Sequence, residues 1–293
     1  MHTFLRAIGF SEYKSKRQLN DLIAEAVLKA DEKLYTSLNN DTIFAEYNLF
    51  CGNNIGISVR GEYDEENQFL ADYLFPFFRG SQISSYADNS VERHAEKESY
   101  AGICDEVRVG VTLIFYLQNV VDYLAEKNNP MFRLQKKGVV LSGLSTDGKI
   151  LLPINKDEKK HKQLEQQKIE RNNMIAAARN GDENAIENLT LEDIDTYSLL
   201  SRRIMREDIL SIVENYFMPY GIESDQYAIL GDIMDCHFLQ NEYTGENVYV
   251  MDLVCNDIPF SICMNQKDLL GEPAVGRRFK GTIWLQGSIC YQN

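Results

Sequence analysis

The stretch "RHAEKESY" sets His94, Glu96 and Glu98 at i, i+2 and i+4. In a strand these three side chains project from one face, because successive residues alternate sides. An imidazole with two carboxylates is a donor set for a divalent metal, and a metal so held activates water for hydrolysis. The competing reading is an ordinary solvated strand face, with Arg93 and Lys97 on its other side. A second constellation lies in "GEPAVGRRFKGTIWLQG", Gly271 to Gly287. A phosphate loop needs G-x-x-x-x-G-K-[ST] opening a helix. Here Gly276 precedes two arginines, Gly281 precedes Thr282, and the segment alternates. Phe279, Ile283, Leu285 and Ile289 are apolar at odd positions, while Arg278, Lys280, Thr282, Gln286 and Ser288 are polar at even ones. That is the period of a half-buried strand. Trp284, the only tryptophan, falls on the polar side with Arg278, Lys280 and Gln286. Either another part of the chain covers the indole or these four residues form a binding surface, since Trp and Arg dominate binding hot spots.

The six cysteines, at 51, 104, 236, 255, 263 and 290, form no C-x-x-C pair and have no finger-like His spacing, so they read as buried reduced thiols. No cofactor is expected beyond a divalent metal at His94, Glu96 and Glu98. H-E-x-x-H, G-x-S-x-G and G-x-G-x-x-G are all missing from the sequence, which leaves little motif support for an enzyme. With 30 basic against 44 acidic residues, the net charge of −14 disfavours nucleic acid and anionic membrane surfaces, both of which attract basic faces. "MHTFLRAIGF" lacks the apolar core of a signal peptide, and no window has the roughly 20 apolar residues of a spanning helix. A cytoplasmic location is expected.

The elements that would position these residues follow from periodicity. Phe4, Leu5 and Ile8 make a short helical turn ended by Gly9, and Ser15 with Gln18 forms a capping box ahead of the stripe Leu19, Leu22, Ile23, Ala26 and Val27. Alternation then runs through Ile43–Leu49, Ile55–Val59, Phe69–Phe77 and Val107–Leu117, with Pro76 pointing to an edge position or a bulge. A helix is expected from Val120 to Lys127, followed by a hairpin of "GVVLSGL" and "KILLPI" about "STDG". Residues 156–220 read as a polar helical connector, with Gly181 ending one helix, Thr190 and Asp193 capping the next, and Ile209, Leu210, Ile212, Val213 and Phe217 marking a last helix ended by Pro219 and Gly221. Residues 221–293 are β again. The expectation is an α+β chain: an antiparallel sheet covered by helices in 1–155, the connector 156–220, and a small OB-like barrel in 221–293.

The segments "MHTFLRAIGFSEYKSK", "ARNGDENAIENLTLEDIDTYSLLSRRI", "YFMPYGIESDQYAILGDI" and "DLLGEPAVGRRFKGTIWLQG" together resemble a bacterial family described only as a domain of unknown function, over nearly the whole chain. The resemblance implies a bacterial cytoplasmic protein and brings no activity, cofactor or site residue. The residues themselves favour a non-catalytic adaptor, binding a protein partner or small ligand through Trp284, Arg278, Lys280 and Gln286. The alternatives are a metal-assisted hydrolase using His94, Glu96 and Glu98, and single-strand nucleic-acid binding by the barrel.

Overall fold

The computed structural model describes residues 3–37, 42–93, 99–127, 137–154, 169–171, 173–191, 210 and 213–291. Local signals near the start are realised as read. Thr3–Ile8 is a 3-10 helix, and Gly9 ends it with a φ of 95°, a left-handed conformation suited to glycine. The Gly9 site would also place a Cβ 2.9 Å from the Asn241 side chain. Helix α1, Lys16–Lys29, opens with the expected box: the Ser15 hydroxyl accepts from the Gln18 amide, and the Gln18 side chain accepts from the Ser15 amide.

Four strands, β1 (Glu32–Ser37), β2 (Ile43–Gly52), β3 (Ile55–Tyr63) and β4 (Phe69–Phe78), pair antiparallel in that order. Pro76 sits on β4, an edge strand where a missing amide donor is tolerated. One face of the sheet, with Tyr47, Leu49, Cys51, Ile57 and Val59, shares a core with α1 and the Thr3–Ile8 turn. Register puts Glu32, Asn48, Glu46, Ser58, Arg60 and Phe75 on the opposite face. In the sequence Glu46, Asn48, Ser58 and Arg60 are the polar neighbours of the alternating apolar residues, yet that face is covered as well.

Next come β5 (Asn89–Arg93), β6 (Tyr100–Cys104), β7 (Leu113–Leu117) and helix α2 (Val120–Lys127). The long alternation expected from Val107 to Leu117 shortens to β7, because residues 107–110 form a turn in which Gly110 has a φ of 75°. Buried Glu106 holds this turn, accepting from the Arg108 amide at 3.1 Å and from Arg108 Nε at 2.8 Å.

The expected hairpin about "STDG" is instead one strand, β8 (Lys137–Leu151), paired along its whole length with β14 (Arg278–Tyr291). The turn residues form a bulge, with Thr282 opposite Asp147 and Ile283 opposite Ser145. Between them in the chain lie β9 (Tyr216–Pro219), β10 (Gln226–Gln240), β11 (Asn247–Cys255), β12 (Ile258–Asn265) and β13 (Leu269–Leu270). Strands β8, β12, β11, β10 and β14 close a five-stranded barrel, with β12 and β8 parallel and the other pairs antiparallel. The barrel therefore takes a strand from within residues 1–155. A two-residue turn at Asn256 and Asp257, φ 50° and 60°, joins β11 to β12. Inside lie Phe260, Ile262, Met251, Leu253, Phe279, Ile283 and Leu285. The chain is thus mostly β, with an antiparallel sheet and a closed five-stranded barrel, and fewer helices than the α+β expectation.

In the connector, residues 173–179 and 183–191 are helical and Gly181, at φ 87°, lies in the turn between them. The last helix expected through Phe217 is corrected: Tyr216–Pro219 is strand β9, drawn out by its pairing with β10. Asp182 caps the second helix, its carboxylate accepting from the Asn184 and Ala185 amides. Thr190 lies inside that helix and donates to the Ile186 carbonyl, so it is not the expected cap; Asp193 lies outside the described residues.

Candidate functional site

His94, Glu96 and Glu98 lie outside the described residues. Trp284, Arg278, Lys280 and Gln286 stand on the barrel's outer side, as their even positions require. Three of them are buried by other parts of the chain. Trp284 is 5% exposed, donates from Nε1 to Asp225 at 2.7 Å, stacks on Phe4 at 5.5 Å and meets Tyr116 at 5.1 Å. Arg278 donates to the carbonyls of Leu152, Val213 and Leu210, fastening the end of the connector to the barrel. Burial lowers its pKa, against the pull of Asp232 and Glu214. Gln286 donates to the Pro76 carbonyl and accepts from the Phe78 amide and the Gln118 side chain. The exposed docking face expected from these residues is therefore corrected: the segment that covers the indole comes from the same chain. Lys280 stands apart, in a groove of about 500 Å³ with Lys149, directly opposite it, and Tyr216.

The polar face of the four-stranded sheet opens into a cleft of about 350 Å³ that periodicity gave no sign of. Its walls come from β1 to β4, the chain after β7, α2 and the end of β14. Arg60 anchors the floor. Its guanidinium is fully buried, with Nε donating to Glu46 at 2.6 Å, Nη1 to Tyr116 at 3.0 Å, and Nη2 to the carbonyls of Leu117 and Gln118. Burial opposes the charge, but Glu46 and the Tyr116 and Tyr73 hydroxyls outweigh it and hold the Arg60 pKa above its ordinary value. Beside this pair, Asn48 Nδ2 donates to Glu46 at 2.9 Å and to Glu32 at 3.3 Å. Two other oxygens on the floor, Asn48 Oδ1 and Ser58 Oγ, belong to residues each 1% exposed and make no hydrogen bond among the described residues.

At the side of the cleft, Arg79 forks onto Glu32 at 3.0 and 2.6 Å and lies 4.9 Å from the Phe50 ring and 5.0 Å from that of Phe77. That fork pulls the Glu32 pKa below its ordinary value. Asp122 of α2, an exposed residue, stands at the mouth. Loss of hydration raises its pKa, Asn119 opposes the rise, and Glu46 adds to it. Cys290 completes the rim, half-buried, its thiol pKa pushed up by burial. The arrangement can accept hydrogen bonds from a small molecule and shelter an apolar body against Phe75, Phe77 and Leu34. Sequence reasoning missed it because Glu46, Asn48, Ser58 and Arg60 occupy the polar beats of clean alternations, where only the covering elements distinguish burial from exposure.

The model of a family described as "Domain of unknown function, E. rectale Gene description (DUF3881)" matches residues 5–287. The chain belongs to that family. No curated protein and no solved structure matches it. Among the described residues no helix is long and apolar enough to cross a membrane, and no group of three or more His, Cys, Asp or Glu is placed to hold a metal ion.

Proposed function

We propose that this protein is a non-catalytic binding protein for a small ligand, taken into the cleft between the polar face of the four-stranded sheet, α2 and the end of β14. The observation that carries the reading is the pair of unpartnered buried oxygens, Asn48 Oδ1 and Ser58 Oγ, on the floor of an open cleft. A buried polar group left unsatisfied costs about 1–3 kcal/mol, so a ligand that supplies the missing partners gains affinity there. Binding is favoured over catalysis because Glu46 and Glu32 are already held by Arg60 and Arg79. A protein partner at Trp284 has less support, since Phe4 and Tyr116 occupy that surface.

We read the barrel as OB-like, a meander β10-β11-β12 with β14 and β8 completing the circle. OB-folds take oligonucleotides on the face of their second and third strands. Here that face carries Val248, Val250 and Cys263 beneath the Thr3–Ile8 turn, with Cys263 Sγ donating to the Ala7 carbonyl. Its burial and the net charge of −14 weigh against single-strand nucleic acid. Six free cysteines support a reducing, cytoplasmic setting.

The test uses Cys290 as a reporter. Compounds that raise the melting temperature are retested for protecting Cys290 from iodoacetamide in a Cys236→Ser background, since the other four thiols are buried. Ligands of the cleft slow Cys290 alkylation and stabilise Ser58→Ala less than the parent. Stabilising compounds that leave Cys290 equally reactive would place binding elsewhere and end the proposal.

A further inference from the structure

Resting on that reading of the cleft, we infer that its ligand carries a protonated amine, which meets Asp122 at the mouth while the rest of the molecule lies over Phe75 and Phe77 toward Asn48 and Ser58. Apart from the Arg79 guanidinium, whose charge is already matched by Glu32, the free hydrogen-bonding capacity of the cleft is for accepting. Both donors of the Asn48 amide are used on Glu46 and Glu32, which leaves Oδ1, an acceptor only. Gln118 has its amide hydrogens on the Phe78 carbonyl and Gln286 and its oxygen on Ser288. Asn119 is fixed at both ends by the backbone of Ile289. Ser58 alone can donate or accept.

Charge points the same way. Three carboxyl groups line the cleft, on Glu32, Glu46 and Asp122. Glu46 is matched by Arg60 and Glu32 by Arg79, in ion pairs of 2.6 Å each. No ion pair engages Asp122 among the described residues. An anionic ligand would find Arg79 already forked onto Glu32 and flanked by two phenyl rings, and would face Asp122 without compensation. An ammonium gives Asp122, which has only the neutral Asn119 amide beside it, a charged partner, and brings N–H donors to a site rich in acceptors.

Three matched probes decide the matter on the full chain: phenethylammonium, 2-phenylethanol and 3-phenylpropanoate, with affinities measured by ligand-observed NMR titration. The ammonium should bind about fivefold tighter than the alcohol, the most that an ion pair at an exposed rim is expected to add, and the carboxylate weakest of all. In Asp122→Asn the ammonium-to-alcohol ratio should fall to about one, with an unchanged circular dichroism spectrum showing that the variant is folded. If the alcohol or the carboxylate binds as tightly as the ammonium, or if Asp122→Asn keeps the ammonium preference, the assignment of a cation is overturned while the cleft remains a binding site. If none of the three binds, ordered water satisfies Asn48 and Ser58, and the cleft reading falls with the cation.

Discussion

Arg60 sends its donors to Glu46, two tyrosine hydroxyls and two backbone carbonyls, all away from water. A buried ion pair is costly to form and costlier to break, because removing one partner strands the other charge. Arg60→Met should therefore lose about 3–5 kcal/mol in urea unfolding, whereas the double change Arg60→Met, Glu46→Leu should lose much less than the two single losses added together. Asp122 behaves oppositely. Its folded pKa lies above its ordinary value, so the stability contributed by the neutral acid is complete below the unfolded pKa and is lost as pH rises through the folded one. At neutral pH the ionised carboxyl is a mild burden, and Asp122→Asn should raise the melting temperature by about 1 °C after allowance for solvent screening, with the gain vanishing below about pH 4. A fall in melting temperature at neutral pH would show that the carboxylate is stabilised where it stands. None of this was visible in the residue string, in which Arg60 and Glu46 look like any polar residues in alternating strands.

Some elements carry their whole explanation locally. The capping box of α1 needs only Ser15, Gln18 and the apolar stripe behind them, and it appears where those residues stand. Ser15→Ala should cost about 1 kcal/mol, readable as a lower urea midpoint with an unchanged slope. Other elements depend on distant partners. "STDG" has the composition of a turn, yet β14 pairs with both sides of it, from Arg278 opposite Leu151 to Tyr291 opposite Lys137, and the chain stays extended through a bulge. Thr190 and Asp193 match a cap by type and spacing, but Asp182 starts the helix earlier and leaves Thr190 inside it. A local signal is decisive only where no competing partner is nearby.

Across the molecule, the N-terminal turn joins sheet to barrel. Asn241 donates to the Ile8 carbonyl at 2.7 Å, Thr244 to the Gly9 carbonyl at 2.7 Å, and Arg6 pairs with Asp268. Beneath that turn lies the indole. Trp284→Ala should thus lose about 3–5 kcal/mol, as large-to-small changes in cores do, measured by urea unfolding; a near-neutral result would return the residue to the role of an exposed anchor. Because β8 closes the barrel, residues 213–291 alone should give an unfolded amide spectrum by NMR. Since Tyr291 lies opposite Lys137, appending 137–151 through a short Asn-Gly turn should restore dispersion. Dispersed spectra from 213–291 alone would show that closure is dispensable. The sequence by itself determined the period of most strands, the cap of α1, the inward side of β14 and the acidic character of the chain, because each depends on neighbours within a few residues or on composition. Only the tertiary structure decided that β8 completes the barrel, that both faces of the sheet are covered, that Trp284 is enclosed, and that Asn48 and Ser58 floor a cleft. Burial is a property of what packs from elsewhere in the chain, and alternation records which side a residue faces without saying what lies there.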